Sequence, residues 1–103
     1  MPGLRREGQR MSDLRIAVKR EYFEDIKSGE KINEFRLVND YWKKRLFGKS
    51  YKTVTITLGY PKKGDKSREI TTVYKGYTIQ QIRHKQFGER DVTVFAIPVG
   101  SHP

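Results

Sequence analysis

Short apolar segments of strand and helix period alternate with turns along this chain, and that pattern limits the folds open to it. The segments "LRIAVK" (14–19) and "TVTITL" (53–58) place an apolar residue at every second position, as half-buried strands do. The segment "REYFEDIKSG" instead spaces Phe23 and Ile26 three residues apart and ends at Gly29, which predicts a short helix with a glycine cap. The sequence therefore mixes strands and helices within short distances.

A further strand and a second helix are predicted directly after Gly29. Residues 31–37 have the composition of a strand. Asp40 can cap a helix that runs to Phe47, because Trp42 and Leu46 lie four residues apart and would face inward together. Both predicted helices thus lie in the N-terminal half of the chain.

The second half reads mainly as strand. The segment "EITTVYKGYTIQQI" predicts two strands with a bend at Gly76, and "VTVFAIPV" is apolar on both faces, as a central strand would be. We therefore expect an α+β domain over residues 12–100, with five or six mixed strands and two short helices near its N-terminus. A small β-barrel is the simplest arrangement, since closure hides edge strands. A chain of 103 residues has room for one such core.

The two ends of the chain lack this pattern. The opening "MPGLRREGQRM" contains proline and two glycines but no periodic apolar face, which predicts a disordered basic arm over residues 1–11. Alternatively, residues 1–10 are an extension upstream of a natural start at Met11. Residues 101–103 are predicted to be a tail. No apolar run resembles a signal peptide or a membrane span, so we expect no membrane partner.

Composition restricts the chemistry further. The chain has no cysteine, which removes disulfides, thiolate catalysis and thiolate metal sites and fits a reducing, cytoplasmic setting. Its two histidines lack a close acidic cluster, so we expect no metal site and no cofactor. Lys and Arg number 22 against 12 Asp and Glu, a formal charge of +10 that favours an anionic partner.

The positive charge is concentrated in one part of the chain. Residues 43–68 hold nine basic residues against one acidic residue, a local charge of +8. Basic groups bind phosphates and aromatic faces stack on bases, so this composition is typical of a surface for single strands or RNA. The alternative is a solvated loop whose aromatic residues belong to the core. The residues we expect at such a surface are Trp42, Tyr60, Lys62, Lys63 and Arg68.

The segment "GEKINEFR" (29–36) places Lys31, Glu34 and Arg36 at the spacing G-x-K-x-x-E-x-R. On a regular strand Glu34 and Arg36 project to the same face, and Lys31 lies beside a helix C-terminus. One interpretation is a surface ion pair of little energetic value. The other is a site, because Arg grips phosphate bidentately, Glu orients it or acts as a base, and Lys with a depressed pKa activates a nucleophile.

His84, in "IRHKQFG", is a further candidate. A histidine titrates near neutral pH and can act as a general base or contact phosphate, but such a residue also commonly caps a turn. The serines have no visible histidine partner, and neither a P-loop nor a dinucleotide fingerprint is present.

Taken in order, these motifs resemble the ASCH domain family, which has the PUA-like fold. The strand "LRIAVK", the helix "YFEDIKSG" and G-x-K-x-x-E-x-R are similar to the start of such a domain. The later "VNDYWKKRLFG", "LGYP", "KGY", "H-x-x-FG" and "VFAIPV" resemble a small stand-alone phage and bacterial branch of it. The similarity covers about residues 14–99.

The resemblance implies a PUA-like β-barrel with a cleft beside the helix-to-strand turn, where RNA or a modified nucleoside is thought to bind. Lys31, Glu34 and Arg36 match the motif and are expected to line that cleft. Small ASCH enzymes hydrolyse N4-acetylcytidine through a Lys, a Thr three residues later and a further Glu, and others are ribonucleases. Here Glu34 stands at the Thr position, so the Thr-dependent mechanism does not transfer directly.

Together these observations predict an RNA- or nucleotide-binding protein, expected to be a monomer. Lys31 and Arg36 would hold phosphate, Glu34 would orient Arg36 or accept from a base amino group, and Tyr60 or Trp42 would stack. One alternative is a nucleoside amidohydrolase or ribonuclease in which Lys31 stabilises charge and Glu34 is the general base. A second alternative is a phage-type interaction module that meets an acidic protein.

Overall fold

A computed structural model of the chain describes residues 12–100, so the arm and the tail predicted at residues 1–11 and 101–103 lie outside the described residues. The α+β class is confirmed, with six strands and two helices. In chain order the elements are β1 (Asp13–Val18), α1 (Arg20–Ser28), β2 (Asn33–Leu37), α2 (Asp40–Leu46), β3 (Thr53–Leu58), β4 (Glu69–Val73), β5 (Thr78–Arg83) and β6 (Asp91–Pro98). Single 3-10 turns, Lys66–Arg68 and Lys85–Phe87, precede β4 and follow β5.

The six strands form two three-stranded sheets. In the first sheet β3 lies between β1, to which it is parallel, and β4, to which it is antiparallel. In the second sheet β6 lies between β2 and β5 and is antiparallel to both. Within residues 12–100 the strand ladders do not join these sheets into a closed barrel. The bend predicted at Gly76, where φ is 82°, is the point at which the chain leaves the first sheet for the second.

The core is built from both sheets and both helices, and most of its residues were predicted from periodicity. The inward positions of β1, the predicted positions Phe23 and Ile26 of α1, and Leu46 of α2 are all buried. β6 is central, as expected, and four consecutive residues from Val94 to Ile97 are buried on its two faces. The main core cluster comprises Leu14, Ile16, Val18, Tyr22, Phe23, Ile26, Leu46, Val54, Ile56, Ile70, Phe95, Ile97 and Val99.

Two threonines on the second face of β3, Thr55 and Thr57, are buried as well. Thr55 Oγ1 donates to Asp13 Oδ1 over 2.9 Å, and Thr57 Oγ1 donates to the Gly59 carbonyl over 2.7 Å. Burial of a hydroxyl is tolerated when its hydrogen bond is made. These threonines are therefore structural.

The start of α2 differs by one residue from the prediction. Asn39, not Asp40, is the N-cap: its backbone is extended, and its side-chain oxygen accepts from the Trp42 amide over 3.0 Å. Asp40 is the first helical residue, where its charge still favours the positive end of the helix dipole. The helix ends at Leu46, and Phe47 is its C-cap.

The connection from α1 to β2 places Lys31 at the end of the helix and not on the strand predicted to start there. Gly29 adopts a left-handed conformation with φ of 90°, and its amide donates to the Ile26 carbonyl. The Lys31 amide then donates to the Asp25 carbonyl over 3.0 Å. The chain thus wraps around the end of α1 before β2 begins at Asn33.

Candidate functional site

Lys31, Glu34 and Arg36 lie together in one cluster, which we call the motif cluster. Glu34 is completely buried and stands between the two cations. Its Oε2 accepts from Arg36 Nη1, and its Oε1 lies 3.6 Å from Lys31 Nζ. The three residues are therefore not the surface ion pair that the sequence left open. Because one carboxylate faces two cations, the cluster has a formal charge of +1.

Arg36 is held in a fixed orientation by backbone oxygen atoms. Nη1 donates to the Phe35 carbonyl over 2.8 Å, and Nη2 donates to the Ala17 carbonyl over 2.7 Å. Its guanidinium carbon also lies 5.5 Å from the ring centre of Trp42. Arg36 Nε has no hydrogen bond to any residue that the structure describes. The side chain is therefore prearranged and still has donor capacity for a ligand.

Lys31 occupies an aromatic pocket. Its side chain is 8% exposed, and its Nζ lies 4.2 Å from the ring centre of Phe35 and 5.6 Å from that of Tyr22. Burial lowers the pKa of Lys31, although the charge of Glu34 opposes this shift. Among the described residues, neither Lys31 Nζ nor Glu34 Oε1 has a hydrogen-bond partner. The charged atoms of this pair thus lie close together, but their hydrogen-bonding capacity is not filled.

Gln86 belongs to the site and was missed in the sequence. Its Nε2 donates to Glu34 Oε2 and to the Phe35 carbonyl, both over 3.2 Å. Gln86 belongs to no motif of the sequence that would mark it as a site residue. It reaches Glu34 only because the turn after β5 is folded back onto β2. The main-chain nitrogen of Gln86 donates to His84 Nδ1 over 3.0 Å, so His84 positions this turn.

His84 therefore has the turn-capping role that was one of its two predicted roles. Its ring packs beside Tyr22 and Phe35, with centroids 5.9 and 5.5 Å away. Burial lowers the pKa of His84, and the neighbouring charges of Lys31 and Lys85 add to that shift. A neutral imidazole whose Nδ1 accepts a hydrogen bond carries its proton on Nε2.

A cleft of about 220 Å³, which we call the motif cleft, opens over Glu34 and Arg36. Its lining residues are Ala17, Val18, Lys19, Tyr22, Glu34, Arg36 and Gln86. The volume is below the roughly 300–1,000 Å³ typical of pockets for drug-sized ligands. The cleft is therefore of a size for a small anion or for one portion of a larger ligand.

The N-terminus of α1 opens onto the same cleft. Lys19 is the N-cap residue, its side chain makes no capping hydrogen bond within the described chain, and both Lys19 and Tyr22 line the cleft. The first intrahelical bond runs from the Phe23 amide to the Lys19 carbonyl. The earlier amides of this nine-residue helix thus remain available, and the helix dipole adds positive potential opposite Arg36.

A second hollow of about 310 Å³ is lined by Lys31, which was expected to line the motif cleft beside Glu34 and Arg36 but does not. It is lined by Asp25 and Glu30 in addition to Lys31 and His84, and it adjoins the C-terminal end of α1. Two carboxylates and the negative end of a helix dipole disfavour an anion there. The motif cleft is therefore the better anion site.

Of the residues expected at a basic and aromatic surface, Tyr60 is the one whose hollow shares a lining residue, Ala17, with the motif cleft. Tyr60 is 95% exposed and lines a hollow of about 280 Å³, here called the Tyr60 hollow, together with Arg15, Ala17, Thr57, Gly59 and Pro61. Lys62 and Lys63 are exposed and form no ion pair with any described residue. Arg68 differs, because its Nε lies 3.4 Å from Asp65 Oδ2 and its charge is partly neutralised.

Trp42 has a different environment from Tyr60. It is partly buried against the core, and its ring lies near the guanidinium groups of Arg36 and Arg45, at 5.5 and 5.6 Å. A ring occupied in this way supports Arg36 through cation–π contact and offers little free face to a base. Of the two aromatic residues predicted to stack, Tyr60 has the accessible ring.

Within residues 12–100 no three His, Asp or Glu side chains are placed to hold a metal ion. Neither of the two helices in this part of the chain is long and apolar enough to cross a bilayer. Comparison with known proteins found no match to this chain among protein-family models, curated proteins or solved structures.

Proposed function

We propose that this protein binds RNA or a nucleotide, with an anionic group of the ligand in the motif cleft. The observation that carries this proposal is the completely buried Glu34, which is shared by Lys31 and Arg36. Buried Lys31 and partly buried Arg36 against one carboxylate leave a positive charge uncompensated, and burial of an unpaired charge is costly. A phosphate at Arg36 and the N-terminus of α1 would compensate it.

The distribution of charge and aromatic rings favours a nucleic acid over a small anion. The segment 43–68, with its local charge of +8, includes Lys62 and Lys63. Tyr60 projects into solvent and lines a hollow together with Ala17 near the end of β1. Phosphate contacts combined with an exposed stacking ring are typical of proteins that bind single strands.

We also propose membership in the ASCH family with a PUA-like barrel. Support for this comes from the ordered motifs and from the position of G-x-K-x-x-E-x-R at a helix-to-strand turn. If the chain is a member, we expect it to be cytoplasmic and to bind RNA in the motif cleft.

The proposal is tested by binding of fluorescent single-stranded RNA across a series of salt concentrations. Wild-type protein should bind, with an affinity that falls steeply as salt increases. Arg36→Lys keeps the charge but removes the fork of donors, and it should weaken binding by about tenfold, whereas Arg83→Lys on the exposed face of β5 should not. Absence of RNA binding, with salt-sensitive binding to an acidic protein instead, would reject the proposal.

A hydrolytic function is a second proposal, favoured by the contact between Lys31 and Glu34. A lysine with a lowered pKa, 3.6 Å from a buried carboxylate, is an arrangement found in catalytic sites. Incubation with N4-acetylcytidine and with RNA, followed by chromatography, tests it. Product formation that Lys31→Met abolishes would support an enzyme, and intact substrates with retained binding would leave a binding protein.

A further inference from the structure

The motif cleft and the Tyr60 hollow adjoin each other, and we infer that together they form one groove for at least two consecutive nucleotides. One nucleotide would occupy the motif cleft, and the base of its neighbour would stack on Tyr60. This inference rests on the proposed function and deepens it, because it distinguishes a polynucleotide ligand from a free nucleotide.

The end of β1 joins the two depressions. Ala17 lines both of them. Its carbonyl accepts from Arg36 on the side of the motif cleft, and the next carbonyl, that of Val18, accepts from the Gly59 amide over 3.0 Å on the side of the Tyr60 hollow. Neighbouring strands lie about 4.8 Å apart, so the two depressions are separated by little more than one strand.

Neither depression alone matches a complete ligand. Their volumes are about 220 and 280 Å³, each below the usual lower bound of roughly 300 Å³ for a drug-sized ligand. A groove made of both can hold two bases with the backbone passing over the small side chain of Ala17. The small residue at the boundary matters, because a larger side chain would separate the two depressions.

Tyr60 differs from the other exposed aromatic residues. Tyr41 contacts Trp42 and Arg45, and Phe47 contacts Phe95, whereas the ring of Tyr60 contacts no other ring or cation that the structure describes. Its backbone is also restricted by the next residue, Pro61. A free ring on a restrained backbone is suited to stacking on a base.

Charges around the Tyr60 hollow favour a base there over a phosphate. Arg15, which lines the hollow, is neutralised by Glu69 at 2.7 Å and lies 3.6 Å from Asp13. The unpaired charges belong instead to Lys19 in the motif cleft and to Lys62 and Lys63 after Pro61. The ligand backbone would run along these lysines, outside the Tyr60 hollow.

A length series tests the inference. Affinities are measured by competition for 5′-phosphorylated ribonucleotides of one, two and four residues, in homopolymer series of each base. For the bases that bind, we expect affinity to rise by about tenfold or more from one residue to two. Tyr60→Ala should remove that gain, a loss of about 5- to 150-fold for the longer ligands. It should leave mononucleotide affinity unchanged.

Tyr41→Ala is the matched control, since Tyr41 is 59% exposed and lines neither depression. Equal affinity for one and two residues in every series would overturn the inference while leaving the proposed function intact. Equal losses in Tyr41→Ala and Tyr60→Ala would also overturn it. Failure to bind any of the ligands would instead reject the proposed function on which the inference rests.

Discussion

Arg36 in β2 donates a hydrogen bond from Nη2 to the main-chain oxygen of Ala17 in β1, over 2.7 Å. β2 and β1 belong to different sheets, so this guanidinium connects the two halves of the fold. The same group neutralises Glu34 and lines the motif cleft. Structure and proposed binding thus depend on one side chain.

Loss of Arg36 should therefore destabilise the protein strongly. Arg36→Ala leaves Glu34 buried without its closest partner and breaks the link to Ala17, and we expect the free energy of unfolding to fall by about 3–5 kcal/mol. Arg83→Ala, which removes an exposed ion pair with Asp91, should cost at most about 1 kcal/mol. Urea denaturation measures both losses. Similar losses in the two variants would show that the motif cluster stabilises the fold no more than an exposed ion pair does.

Lys31 should behave differently from Arg36. Its Nζ has no hydrogen bond among the described residues, so Lys31→Met replaces a poorly satisfied buried charge with an apolar side chain that packs against Phe35. We expect the free energy of unfolding to change by less than about 1 kcal/mol, or to increase. RNA affinity should nevertheless fall by about tenfold, since the cluster loses its net positive charge.

The control for this variant is Lys27→Met, at an exposed position in the last turn of α1. It should change neither stability nor affinity appreciably. A Lys31→Met protein with lower stability and unchanged affinity would assign Lys31 a structural role only.

Stability should also depend on His84 in mildly acidic solution. Burial and the charges of Lys31 and Lys85 lower the pKa of His84 below its ordinary value of 6.5. The unfolded chain then binds more protons in this range, so stability is full above pH 6.5 and decreases as the pH falls through 6.5 towards the lower folded-state pKa.

The variant His84→Asn isolates this effect. Asparagine lacks the titrating ring but retains an oxygen that can accept from the Gln86 amide. The decrease of unfolding free energy between about pH 7 and pH 5 should be smaller in the variant than in wild type. Equal decreases in both proteins would contradict the role assigned to His84.

Lys62 and Lys63 should contribute to RNA binding through charge alone. For single-stranded nucleic acid each neutralised phosphate contributes about 0.7 to the slope of log affinity against log salt. The double substitution of both lysines by glutamine should therefore reduce that slope by about 1.4. Lys27→Gln should leave the slope unchanged. An unchanged slope in the double variant would show that Lys62 and Lys63 do not contact the RNA.

Local sequence patterns predicted the elements but not how they assemble. Alternation at Leu14, Ile16 and Val18 identified β1, and Gly29 marked the end of α1, because both features depend on neighbouring residues. The division into two sheets depends on pairing between distant strands, and the sequence does not specify it. A small β-barrel was predicted because closure hides edge strands, and the observed ladders form two three-stranded sheets without showing that closure.

The candidate site was likewise predicted only where it depends on neighbouring residues. The motif spacing predicted that Glu34 and Arg36 share one face, because a strand places alternate residues on the same side, and it placed Lys31 at the helix end before that strand. The complete burial of Glu34 and the contact with Gln86 come from the turn after β5, 52 residues away in the chain. Asn39 replaced Asp40 as the cap of α2 because either residue type can cap, and only backbone geometry decides between neighbours.

The most direct test of the account is an NMR titration of the isotope-labelled protein with short single-stranded RNA. We predict that the largest shifts occur at the Arg36 side chain and at the amides of Arg20, Glu21 and Tyr22, the first turn of α1, from which Tyr22 lines the motif cleft. Smaller shifts should follow at Gly59 and Tyr60. Shifts confined to loop 60–68, or none at all, would contradict the claim that the motif cleft binds the anionic ligand.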